Sequence, residues 1–116
     1  MAVYNANNLD IEAVKKNGSV ELYIVSSGKF DDSPEQQTLL MNKIENYIGY
    51  VLSEEFKTKH PNCPIDNCCI VLSLDKKPSS LLLELCAKIR SWIKSYGICF
   101  RAEYNTLLGK KRSVDL

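Results

Sequence analysis

The tetrapeptide Lys16-Asn17-Gly18-Ser19 constrains this chain more than any other stretch. Asn-Gly is the pair that best tolerates the positive φ angles of a type I′ hairpin turn. Apolar and polar residues alternate on both sides of it, over Leu9-Asp10-Ile11-Glu12-Ala13-Val14-Lys15 and Val20-Glu21-Leu22-Tyr23-Ile24-Val25. A two-residue loop at Asn17-Gly18 pairs Lys16 with Ser19, Ala13 with Leu22 and Ile11 with Ile24. That register puts Ile11, Ala13, Val20, Leu22 and Ile24 on one face. Asp10, Glu12, Val14, Glu21, Tyr23 and Val25 fall on the other.

A loop over residues 26–32 leads to a helix. Ser33 is a good N-cap, Pro34 suits the first helical position, and Gln36 completes a Ser-x-x-Gln capping box. Leu40, Ile44, Tyr47, Ile48 and Val51 recur at helical spacing. The helix is expected to reach about Phe56, with Gly49 a weak point inside it. Pro61 and Pro64 punctuate a loop from Lys57 to Asn67. Cys68-Cys69-Ile70-Val71-Leu72-Ser73-Leu74 is nearly all apolar, which predicts a central strand buried on both faces. A second helix follows, capped by Ser79 or Ser80. Its stripe is Leu82, Leu85, Cys86, Ile89, Trp92, Ile93 and Tyr96, and Gly97 stops it. Ile98 to Tyr104 alternates as a last strand, and residues 110–116 read as a flexible tail.

The prediction is therefore a single α+β domain over residues 1–116, in the order ββαβαβ. A mixed four-stranded sheet is covered by two amphipathic helices on one face. The unit from Cys68 to Tyr104 is a crossover joining parallel strands. With 116 residues, such a domain buries enough surface to need no staples.

Charge narrows the function classes. A net charge of +1 provides no global field to draw in nucleic acid or an anionic membrane. Lys110-Lys111-Arg112 on a tail is a weak phosphate-binding signal. No apolar run approaches the roughly 20 residues of a membrane span. The N-terminus lacks a signal-peptide pattern, and the five cysteines are an odd set. Free thiols in a cytoplasmic protein are the expectation.

No catalytic or metal-binding constellation stands out, and no cofactor is expected. His60-Pro61-Asn62-Cys63 with Cys68-Cys69 has poor zinc spacing, because adjacent strand residues point to opposite faces. Cys86 and Cys99 read as core positions. His60 is the chain's sole histidine, so any Cys–His nucleophile would need it, but no third group marks a Cys63–His60 pair. Asp31, Asp32 and Glu35 suit the positive end of the first helix. Glu54 and Glu55 close that same helix against the dipole's preference, which hints at a partner contact.

The segments Leu9-Asp10-Ile11, Gly18-Ser19-Val20-Glu21-Leu22-Tyr23-Ile24 and Asp31-Asp32 form one pattern with the helix Leu40-Met41-Asn42-Lys43-Ile44-Glu45-Asn46-Tyr47-Ile48-Gly49-Tyr50-Val51. In this arrangement the chain resembles a family of small bacterial proteins of unknown function. The resemblance covers roughly residues 1–55. It implies the fold and a bacterial origin, and it transfers no catalytic residue.

Two functional expectations follow. The first is a non-catalytic protein-binding module, in its sharpest form a bacterial immunity protein that binds and neutralises a toxin domain. Its candidate contacts are Asp31, Asp32, Glu35, Glu54 and Glu55, with Tyr23 and Tyr50 as aromatic anchors. A second copy of the chain is the other partner considered. The alternative is a small ligand-binding protein or enzyme with a site near the Lys57–Asn67 loop.

Overall fold

The computed structural model describes residues 11–26, 34–74, 77–105 and 111–113. Five strands form one mixed sheet in the order β1-β2-β3-β4-β5. Strand β1 (Ile11–Val14) is antiparallel to β2 (Val20–Ser26). Helix α1 (Pro34–Val51) and a short α2 (Glu54–Lys59) follow, then a 3-10 turn over Ile65–Asn67. Strand β3 (Cys68–Leu74) pairs in parallel with β2. Helix α3 (Ser80–Lys94) leads to β4 (Cys99–Asn105), parallel to β3. Strand β5 (Lys111–Ser113) then runs antiparallel to β4.

This is the α+β fold that turn chemistry and periodicity predict, with β3 at the centre of the sheet. Ile70, Val71 and Leu72 are all within 1% of complete burial, so β3 is covered on both faces. The core lies on one side. Val20, Leu22, Ile24, Cys68, Ile70, Leu72, Phe100 and Ala102 form a single cluster with Leu40, Ile44, Tyr47 and Val51 of α1. Leu82, Cys86, Ile89 and Ile93 of α3 complete it. Both long helices therefore sit on the same face. Among the described residues no helix is long and apolar enough to cross a membrane.

Three local features depart from the sequence reading. The hairpin loop has three residues, not two. Gly18 N–H donates to the Lys15 carbonyl at 3.0 Å, and Lys15 N–H donates to the Ser19 carbonyl at 2.8 Å. Gly18 takes the left-handed conformation, with φ of +88°, that such a turn-plus-bulge loop needs. The Asn17 side chain accepts from the Ser19 N–H at 3.1 Å, an Asx-type contact that holds the loop. The register becomes Val14 with Val20, Ala13 with Glu21 and Glu12 with Leu22. A one-residue slip turns every β1 side chain over. Glu12 moves to the helix side, and Ala13 to the helix-free side.

The first helix ends at Val51 rather than running to Phe56. Ser53 is the reason. Its hydroxyl donates to the Tyr50 carbonyl at 2.5 Å and accepts from the Phe56 N–H at 3.2 Å. It thus closes one helix and caps the next. Glu54 and Glu55 lie in the first turn of α2, where the helix dipole favours them. Their position against the dipole, expected as a hint of a partner contact, is therefore absent. Third, Lys111–Ser113 is a strand, within a stretch expected to be a flexible tail. Ser33, the expected cap of α1, lies outside the described residues.

Other local readings are met. Ser79 caps α3, accepting from the Leu82 N–H at 3.1 Å. Gly97 follows that helix with φ of +82°. Gly49 sits inside α1 and a Cβ there would meet nothing within 4 Å. Gly49→Ala is expected to stabilise the protein by about 0.5–1 kcal/mol, because alanine removes backbone freedom from the unfolded chain. A rise in the thermal midpoint checks this, and a fall would show that α1 needs the glycine.

Candidate functional site

The register slip builds a concentrated polar cluster on the helix side of the sheet. Glu12 points from edge strand β1 toward the end of α1. Tyr50, in the last turn of α1, donates its hydroxyl to Glu12 Oε1 at 3.1 Å and Oε2 at 2.9 Å. The break at Ser53 turns the chain so that α2 delivers Lys59 and its C-cap residue, His60, to the same carboxylate. Lys59 Nζ stands 3.4 Å from Oε2, and His60 Nε2 makes a short hydrogen bond to Oε1. Buried Phe56 wedges between them, edge-on to Tyr50 at 5.3 Å and tilted against the His60 ring at 4.9 Å.

The electrostatics follow from this packing. Burial opposes ionisation of Glu12. The hydrogen bonds from His60 and Tyr50 and the charge of Lys59 outweigh it and hold the carboxyl below its ordinary value. The Tyr50 hydroxyl is pushed well up, by burial and by the Glu12 carboxylate it serves. The cluster is saturated: both Glu12 oxygens have partners. A carboxylate fixing an imidazole is half of a nucleophilic site, but a nucleophile is also needed. Cys63 is the nearest candidate in sequence. Its thiol faces the Pro64 carbonyl at 3.6 Å, and burial pushes it up, away from thiolate. Among the described residues no group of three or more His, Cys, Asp or Glu could hold a metal ion. The arrangement ties an edge strand to a helix pair.

A second polar array lies on the helix-free face. Glu21 Oε1 accepts from the Tyr23 hydroxyl at 3.0 Å and pairs with Lys15 Nζ at 3.1 Å. Its Oε2 pairs with Arg101 at 3.0 Å, and Arg101 also reaches Glu103 at 3.7 Å. Burial again works against the Glu21 carboxylate. Lys15, Tyr23 and Arg101 together keep it below its ordinary value. A cleft of about 420 Å³ opens at the other end of α3, lined by residues that include Asp66, Arg90, Lys94, Ile98, Cys99 and Phe100.

The expected contact residues fall at separate places. Tyr23 is on the helix-free face and Tyr50 on the helix side. Glu35 lies in the first turn of α1 and the Glu54–Glu55 pair follows its other end, so a helix about 27 Å long separates them. Asp31 and Asp32 lie outside the described residues. Glu12, Lys59 and Arg101 were not singled out by the sequence reading. A three-residue reading of the Asn-Gly loop would have exposed Glu12, since it alone moves that side chain across the sheet.

The helix motif is internal. Leu40, Lys43, Ile44 and Tyr47 are each within 1% of complete burial. The Tyr47 hydroxyl donates to the Tyr23 carbonyl at 2.8 Å, and the Lys43 ammonium lies 5.9 Å from the centre of the Tyr47 ring. Residues 1–106 match the sequence model of a family of unknown function, DUF6572. The chain belongs to that family. No curated protein and no solved structure matches it. The DUF6572 match extends through β4, well past the roughly 55 residues in which the resemblance was legible.

Proposed function

We propose that this DUF6572 protein is a non-catalytic module that binds a protein partner at the exposed edge of its sheet. One observation carries the reading. Among the described residues β1 is an outer strand, and the Lys15–Ser19 bond sets which of its backbone groups face outward. Alternation along an antiparallel pair turns the N–H and C=O of Glu12 and Val14 away from β2. Val14 is 60% exposed. An edge of this kind templates an added strand from another chain. The Glu12 cluster supports the same reading, because it holds β1 stiff while leaving its outer backbone side to a partner. Tyr23 and Arg101, of the types enriched at binding hot spots, lie on the adjoining helix-free face.

In its sharper form the proposal is a cytoplasmic bacterial immunity protein that occludes a toxin domain. Capture of tagged protein from its native lysate, read by mass spectrometry, tests it. One stoichiometric partner is expected, and a secreted toxin domain supports the sharper form. Val14→Pro is expected to abolish capture while circular dichroism stays unchanged, since the outward N–H is not part of the ladder. A second copy of the chain as the partner would retain edge pairing but overturn the immunity reading. No partner in repeated captures overturns the binding role.

The cleft at the C-terminal end of α3 favours one second reading, binding of a small anionic ligand. Arg90 and Lys94 stand there beside Asp66, at the end of the Lys57–Asn67 loop. A thermal-shift screen of small carboxylates and phosphates tests it, with a response lost on Lys94→Ala as the expected result.

A further inference from the structure

Cys69 and Cys99 occupy neighbouring central strands as direct partners in the parallel β3–β4 register. Their sulfurs are 3.0 Å apart, inside the contact distance of two unbonded sulfur atoms. Adjacent strands lie about 4.7–4.9 Å apart, within the Cα separations that disulfides span. The two thiols differ in access. Cys99, expected in the core, is exposed, on the helix-free face that also carries Arg101. Cys69 is buried, and its thiol is pushed up by burial and by the neighbouring Cys99. Cys86, by contrast, is fully buried among the apolar residues of the core.

We propose that Cys69 and Cys99 are a reversible dithiol–disulfide site, oxidised by a low-molecular-weight disulfide. Cys99 is the entry thiol. It loses its proton to solvent, and its thiolate attacks one sulfur of the incoming disulfide. That sulfur–sulfur bond breaks, and the first small thiolate leaves with the electron pair and takes up a proton. Cys69 then gives up its proton as its sulfur attacks Cys99 Sγ in the mixed disulfide. The bond to the second small thiol breaks, and that thiol leaves protonated. Two protein thiols become one disulfide, and one small disulfide becomes two thiols. The proposal does not rest on the partner-binding reading, since it uses β3 and β4 rather than the β1 edge, on the helix-free face that also carries Tyr23 and Arg101.

The test treats the folded, full-length chain with oxidised glutathione, blocks remaining thiols in denaturant, and maps peptides without reduction. The expected result is a loss of two hydrogen masses, with one cross-link joining the Cys69 and Cys99 peptides. Cys69→Ser is expected to stop at glutathione bound to Cys99, because the resolving sulfur is gone. A wild-type chain that keeps glutathione on Cys99, or that leaves both thiols free, overturns the proposal. The wild-type map decides this even if Cys69→Ser fails to fold.

Discussion

Replacing Ile44 by alanine is expected to destabilise the protein by about 2–5 kcal/mol, the range for truncating a buried aliphatic side chain. Ile44 has no exposed surface and belongs to the cluster that seats α1 on Leu22, Ile24, Ile70 and Leu72. The loss has two parts. The removed carbons forfeit their transfer free energy, and the space they leave cannot close. Collapse is blocked because β3 is held by hydrogen-bonded strands on both sides. A domain of this size is stable by about 5–15 kcal/mol, so the change takes a large share of the total. Urea unfolding checks it: the midpoint should fall with the slope unchanged. Leu52→Ala provides the comparison, since Leu52 is 40% exposed just beyond α1, and its effect should stay within about 0.5 kcal/mol. Equal effects from the two variants would show that α1 does not seat on the sheet through Ile44.

The second large effect is expected at Glu12. Glu12→Ala should cost about 1.5–3 kcal/mol, the range for hydrogen bonds to a charged group. The substitution leaves the Tyr50 hydroxyl and the His60 ring without their acceptor, and the His60 side chain is only 9% exposed. Lys59 contributes little, because its side chain is 59% exposed and solvent screens the pair. A double-mutant cycle with Tyr50→Phe should show a coupling of about 0.5–3 kcal/mol, whereas additive effects would deny the contact.

Glu12 also carries a pH signature, which it shares with Glu21. Both carboxyls are held below 4.5 in the folded chain, their ordinary value. Between the folded values and 4.5 the unfolded chain binds more protons. Stability therefore rises with pH across that window. Their contribution is complete above about pH 4.5 and is lost as pH falls through the folded values. Urea midpoints measured from pH 7 down to pH 3 should show the loss. Glu12→Gln should flatten its own share while keeping the side chain's shape. An unchanged slope in that variant would place the titration on other groups.

The Cys69–Cys99 register and the Glu12 cluster were not legible in the sequence for the same reason. Each depends on which residues of distant segments stand opposite one another. Cys69 and Cys99 read singly as core thiols, because nothing local joins positions 30 residues apart. Glu12 read as a solvent-side carboxylate because the two-residue loop was the favoured reading of Asn17-Gly18. His60 was weighed with Cys63 rather than with Glu12, its partner from 48 residues away. Ser53 reads as one more position of an apolar helical pattern, although its hydroxyl serves both the Tyr50 carbonyl and the Phe56 N–H.

The sequence by itself determined the order of β1 to β4 and the two long helices, the central place of β3, a serine cap at Ser79 or Ser80, the Gly97 stop and most of the buried stripes of α1 and α3. These rest on energies that act within a few residues: turn angles, orphan backbone donors and hydrophobic periods of 2 and 3.6. The tertiary structure decided the β1 register, the division of the first helix and the polar partners on both sheet faces. Asn17-Gly18 accepts a two- or a three-residue loop at similar local cost. Only the three-residue loop turns Glu12 toward Tyr50, Lys59 and His60, and those donors come from elements that the hairpin meets only after the chain has folded.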